Sequence, residues 1–164
     1  MPKPYTVVRT TTIDAPAERI HALVCDFHEW TQWSPWEGLD PAMRRTYTGP
    51  DAGVGAAYAW EGNRKAGKGS MTITGDGPDR VDVDLRFEKP FPARNRIELV
   101  LVPTGERSTV VDWRMHGELS GAMRLLSLVK SMDSLVGPDV EKGLARLKRV
   151  AESEAPPGPQ PPPG

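Results

Sequence analysis

The sequence predicts an α+β domain, a curved antiparallel sheet wrapped around one long C-terminal helix, with two short helices after the first strand. Three observations lead there. Between Tyr47 and His116 apolar and polar residues alternate with period two, interrupted by glycine- and proline-containing turns. That is the pattern of short antiparallel strands with one solvated face. From Gly121 the spacing changes: Leu125, Val129, Met132, Val136, Val140, Leu144 and Leu147 step by three or four and form one helical stripe. Finally, the apolar faces of the sheet and of that helix must bury each other.

The elements follow in order. Tyr5 to Ile13 is rich in β-branched residues and reads as a strand. Asp14-Ala15-Pro16 stops it, with Asp14 as a cap and Pro16 suited to a first helical turn. Ile20, Leu23, Val24 and Phe27 recur at helical spacing, so Ala17 to Phe27 is a short amphipathic helix. Val54 to Trp60 reads as a strand, Gly62 to Lys68 as a hairpin connection, and Gly69 to Thr74 as the next strand, ended by Gly75-Asp76-Gly77-Pro78. Three further alternations complete the sheet: Val83, Leu85 and Phe87; Ile97, Leu99 and Leu101; Val111, Trp113 and Met115. In the final helix Gly137-Pro138 is expected to bend or interrupt the stripe.

Length and composition narrow the function. A chain of 164 residues has room for one ordinary domain. With 21 Lys and Arg against 22 Asp and Glu, no basic excess draws in nucleic acid. The single cysteine, Cys25, forms no internal disulfide and no cysteine-based zinc site. The start of the chain lacks the apolar stretch of a signal peptide, and no apolar run is long enough for an integral membrane segment. A cytoplasmic domain spanning residues 1–154 is expected. Residues 155–164 carry six prolines in ten positions and read as a disordered, solvated tail. The tail lacks a flanking arginine, so a protein partner of the SH3 type is not expected for it.

Several stretches now resemble a known family. Asp26-Phe27-His28-Glu29-Trp30-Thr31-Gln32-Trp33-Ser34-Pro35-Trp36 is similar to the tryptophan-rich stretch after the first helix of START-like (SRPBCC) proteins, nearest their polyketide cyclase/dehydrase-like branch. Asp40-Pro41, Tyr47-Thr48-Gly49, Gly53-Val54-Gly55-Ala56, Trp60-Glu61-Gly62-Asn63, Gly67 to Ile73 and Gly143 to Lys148 continue the resemblance across residues 5–150. The resemblance implies a helix-grip fold with a deep cavity between sheet and helix. It implies no single chemistry: members bind or carry lipids, sterols, polyketides and other apolar ligands, and only some are enzymes.

The candidate site is therefore a hydrophobic small-molecule cavity, with a cyclase or dehydratase in the same cavity as the alternative. The expected ligand-binding residues are Trp33, Trp36, Tyr58, Trp60, Met71, Phe87, Trp113, Met115, Met123 and Met132. Strand parity turns the first-named residues of each strand inward, and methionines suit a plastic apolar surface. Trp30, Trp33 and Trp36 either form a lid or plug the first helices against the sheet, and packing is the favoured reading.

Proton-transfer groups are sparse on the inward parity. Asp82, Asp84, Arg86, Glu88, Arg96, Glu98, Asp112, Arg114 and His116 fall on the outward face as cross-strand charge pairs. His21 lies at a helix edge. His28 is the better polar candidate at a cavity mouth, with Glu61 and Asp133 as further polar contacts. No catalytic residue is assigned. Metal ligation is not expected, since His21, His28 and His116 lack a shared ligand spacing, and Cys25 reads as a small buried hydrophobe. No cofactor is expected either. Gly62 to Gly69 matches a phosphate-loop pattern except that Gly69 replaces Ser or Thr and a strand, not a helix, follows.

Overall fold

A computed structural model describes residues 3–34, 40, 42–64, 66–89, 93–119 and 132–153, without the side chains of Lys3, Leu119, Met132 and Leu135. The chain runs β1 (Lys3–Ile13), α1 (Ala17–Val24), α2 (Phe27–Trp30), β2 (Arg44–Thr48), β3 (Ala57–Glu61), β4 (Lys68–Gly77), β5 (Arg80–Lys89), β6 (Ala93–Gly105), β7 (Ser108–Leu119) and α3 (Met132–Ser153). All seven strands lie in one antiparallel sheet of order β1-β7-β6-β5-β4-β3-β2. The later six form a meander, and β1 closes the far side against β7.

Register lines the inner face into rows. One row runs Tyr58, Met71, Leu85, Asn95, Gly117, Tyr5 across six strands. The next runs Ile73, Val83, Ile97, Met115, Val7, all of them buried. A third sets Val81, Leu99, Trp113 and Arg9 in line. The intervening residues point to the outer face. There Arg80, Arg96 and His116 all reach Glu98, at 3.3, 3.3 and 3.2 Å. Glu98 is only 7% exposed. The outer face is thus charged as expected, but its central carboxylate is sheltered by two arginines and an imidazole rather than solvated.

The helices cover the inner face. α1 buries Ile20, Leu23 and Val24 and lies against β5 and β6, while α3 runs along β1. α3 buries Val140, Leu144, Leu147 and Ala151, stepping by four, three and four. Its start is tied to β1 by Arg9, which donates to both carboxylate oxygens of Asp133 at 2.8 Å. Its far end is tied by Lys148 Nζ to the Thr12 carbonyl at 2.8 Å and by the Asp14 N–H to Glu152 at 2.9 Å.

Five expectations are corrected. The helix expected over Ala17 to Phe27 is two helices, because Asp26 accepts from the His28 N–H at 2.9 Å and starts a new turn. Asp14 does not cap α1; Pro16 occupies that position with no side-chain bond. The strand expected from Val54 begins at Ala57, because Gly53 and Gly55 adopt φ of 79° and 94° and make a turn, with Val54 60% exposed. β4 does not end before Gly75. A register shift between Ile73 and Gly75 lets it run on to Gly77. Of the bend or interruption expected at Gly137-Pro138, the interruption does not occur: α3 continues through Pro138. The stripe residues from Leu125 to Val129 lie outside the described residues, as does the proline-rich tail. Among the described residues, no helix is long and apolar enough to cross a membrane.

Candidate functional site

The inner face is built from two joined aromatic groups and an aliphatic floor. In the first group Phe27, Trp30, Trp33 and Trp113 meet edge-on or tilted, with centroids 4.3 to 6.2 Å apart. The indoles of Trp30 and Trp33 donate to the carbonyls of Val24 and Leu23, each at 2.9 Å. Those carbonyls end α1, so the rings satisfy a helix terminus while filling space behind it. Both tryptophans are buried, which is the packing arrangement read from the sequence.

The second group is Tyr47, Tyr58, Trp60 and Phe87. Tyr58 stacks on Trp60 at 6.0 Å and leans on Tyr47 at 5.2 Å, and Phe87 meets Trp60 edge-on at 5.9 Å. Trp60 lies flat against Gly69, where an added Cβ would fall 2.6 Å from the ring and 2.4 Å from the Arg86 carbonyl. The Trp60 indole donates to the Ala66 carbonyl at 2.9 Å, closing the β3–β4 hairpin. A strand follows the hairpin at once, so the phosphate-loop pattern at Gly62 to Gly69 has no helix behind it. Phe27 bridges the groups, 6.0 Å from Tyr58. Met71, Leu85 and Met115 form the floor and are all buried.

One polar pair interrupts this floor. Tyr5 donates its phenolic hydrogen to Asn95 Oδ1 within the first inner row. Burial pushes the Tyr5 phenol up to about 12, so it stays protonated and serves as a hydrogen-bond donor. Asn95 is 4% exposed. Strand parity alone would have found both: Tyr5 shares the face of Val7, and Asn95 that of Ile97.

Of the expected ligand-binding residues, the structure brings Trp33, Tyr58, Trp60, Met71, Phe87, Trp113 and Met115 onto or directly behind this surface. Trp36, Met123 and the Met132 side chain lie outside the described residues. The other polar candidates are elsewhere. His116 sits on the outer face between Thr6 and Glu98, 3.2 Å from each. His28 is exposed, stacked on Tyr47 at 4.1 Å and held by Asp26 at 2.7 Å, beside a pocket of about 240 Å³. Asp133 is engaged by Arg9, which holds its carboxyl below the usual carboxylate range. Glu61 pairs with Lys68 at 3.3 Å. A larger groove, about 710 Å³, lies over the β3–β4 hairpin, but Glu61, Arg64, Lys68 and Lys89 line it, a charged setting unsuited to an apolar ligand.

One cluster escaped the sequence reading altogether. His21, Cys25 and Asp76 converge, their ligand atoms within 4.8 Å of one another. The signal was present in His21 and Cys25, four residues apart on α1 and its C-terminal cap, a spacing hidden when histidines are compared only with histidines.

Residues 4–152 match a family model described as polyketide cyclase / dehydrase and lipid transport. No curated protein matches the chain. Solved structures share its fold at low identity. Norcoclaurine synthase from Thalictrum flavum, in complex with dopamine and hydroxybenzaldehyde, is similar with a TM-score of 0.66 at 11% identity, over 91% of this chain and 87% of that one. A START superfamily protein from Mycobacterium smegmatis gives 0.62 at 17% identity, over 92% and 99%. A protein of unknown function from Staphylococcus aureus gives 0.72 at 9% identity, over 93% and 96%.

Proposed function

The chain belongs to the polyketide cyclase / dehydrase and lipid transport family, and from that premise we propose that it binds a hydrophobic small molecule between the sheet and α3. The observation that carries this reading is the division of the sheet. Two inner rows, Tyr58 to Tyr5 and Ile73 to Val7, hold no carboxylate and no imidazole, while most strand charges sit on the outer face; Arg9 and Asp76, on the inner side, lie outside these two rows. An apolar ligand gains about 25 cal/mol per Å² of surface it buries there. The contacting set is Tyr58, Trp60, Met71, Phe87, Trp113 and Met115, backed by Trp33. The Tyr5–Asn95 pair supplies the one polar anchor of the floor, suited to a hydroxyl or carbonyl on the ligand. The norcoclaurine synthase neighbour, in complex with two small aromatic compounds, supports a ligand with a ring.

A carrier is favoured over a cyclase or dehydratase because these rows offer nothing poised to move a proton near neutral pH. The Tyr5 phenol, raised to about 12, is too weak an acid to serve as a base there. The test is a titration with an apolar fluorescent probe, followed by the change in tryptophan emission, alongside native mass spectrometry of the purified protein. We expect saturable binding that Met115→Glu abolishes in a variant still folded by circular dichroism, and that His116→Ala leaves intact. Loss of binding in His116→Ala with retention in Met115→Glu would reverse the reading and favour the enzyme.

A further inference from the structure

Three metal-binding side chains meet outside the inner-face site. His21 lies on α1 and Cys25 caps its C-terminus one turn later, the Cys25 N–H donating to the His21 carbonyl. Asp76 reaches them because of the bulge in β4. Simple alternation from Ile73 would set Asp76 outward. The register shift instead places Gly75 opposite Asp82 and Asp76 opposite the buried Val81, on the side that α1 covers. His21 Nε2 then lies 2.5 Å from Asp76 Oδ1. The Gly53 N–H donates to the Cys25 carbonyl at 3.0 Å, fixing the end of α1 against the neighbouring loop.

We propose that His21, Cys25 and Asp76 form a binding site for a divalent transition-metal cation of the zinc type, with a fourth position open to water or an external ligand. The donor set is one imidazole nitrogen, one sulfur and one carboxylate oxygen. It suits Zn²⁺ or Co²⁺ and not Mg²⁺ or Ca²⁺, which take oxygen ligands. The three donor atoms already lie within 4.8 Å, and a tetrahedral ion would hold them about 3.5 Å apart. Small side-chain rotations cover that difference. The His21 and Asp76 side chains are 24% and 23% exposed, so an ion can reach them.

Charge points the same way. Burial, then the carboxylates of Asp76 and Asp26, push the Cys25 thiol up. A divalent cation supplies the charge that those carboxylates attract and lets the thiol ionise, so binding releases the Cys25 proton to solvent. The thiolate and the Asp76 carboxylate together balance the ion.

Titrating Co²⁺ into the reduced, chelator-free full chain tests the site. A thiolate-to-cobalt charge-transfer band is expected in the near ultraviolet, displaced by Zn²⁺ and strengthening as pH rises. Cys25→Ser should remove the band. His21→Gln and Asp76→Asn should each weaken binding at least about tenfold, and His28→Ala should leave it unchanged. No band at about 1 mM Co²⁺, well above the concentration at which such a site should fill, overturns the proposal. So does a band that persists in Cys25→Ser, or unchanged affinity in both His21→Gln and Asp76→Asn. If Cys25→Ser fails to fold, the other two variants decide.

Discussion

Tyr5 and Asn95 face each other across Gly117, and Asn95 would be a buried polar group without its half-buried partner. Tyr5→Phe strands the Asn95 amide and is expected to cost about 1–2 kcal/mol, read from urea unfolding. The same variant should alter the alkaline limit. A phenol held at about 12 in the fold and at about 10 unfolded favours the folded state fully below pH 10. That contribution fades as pH rises from about 10 through about 12. The wild type should therefore lose stability relative to Tyr5→Phe between about pH 10 and pH 12. Residue-scale chemistry was partly legible beforehand. The inward Tyr58, Met71 and Met115 follow from alternation alone. The Tyr5–Asn95 bond and the His21–Asp76 contact join residues far apart in the chain, so no local pattern announces them.

Elements carry their own tests. Gly69 is a strand glycine because the Trp60 ring and the Arg86 carbonyl occupy the space of a side chain. Gly69→Ala should destabilise by about 2 kcal/mol and change the Trp60 contribution to fluorescence, since a backbone oxygen cannot move aside cheaply. Pro138 lies inside α3, where it removes one helical hydrogen bond and crowds the Ser134 carbonyl. Pro138→Ala should raise stability by about 1–3 kcal/mol, measured as a higher urea midpoint at unchanged slope. Strand existence and helix stripes were readable because period two and period three-to-four differ plainly. Boundaries were not, where backbone geometry decides. Val54 looks like strand until Gly53 and Gly55 turn the chain, and the bulge near Gly75 depends on pairing with Asp82 rather than on any residue preference.

For the whole molecule, the order of strand, helices, meander and final helix was legible because each face needs a partner of matching width. The proline-rich tail is expected to be dispensable: deleting residues 155–164 should move the melting temperature by no more than about a degree, in a differential scanning calorimeter. A further consequence lies in the topology. β1 pairs with β7 from Lys3↔Leu119 to Ile13↔Thr109, and α3 docks on β1. β1 thus leaves the ribosome well before β7 and α3, and waits for both before it has a neighbour. Until then its edge is open to other chains. Refolding should be slow for a chain of this size, because the decisive contacts join the two ends. A nascent chain stalled before β7 should bind chaperone through β1, and release it only once residues 108–153 have emerged.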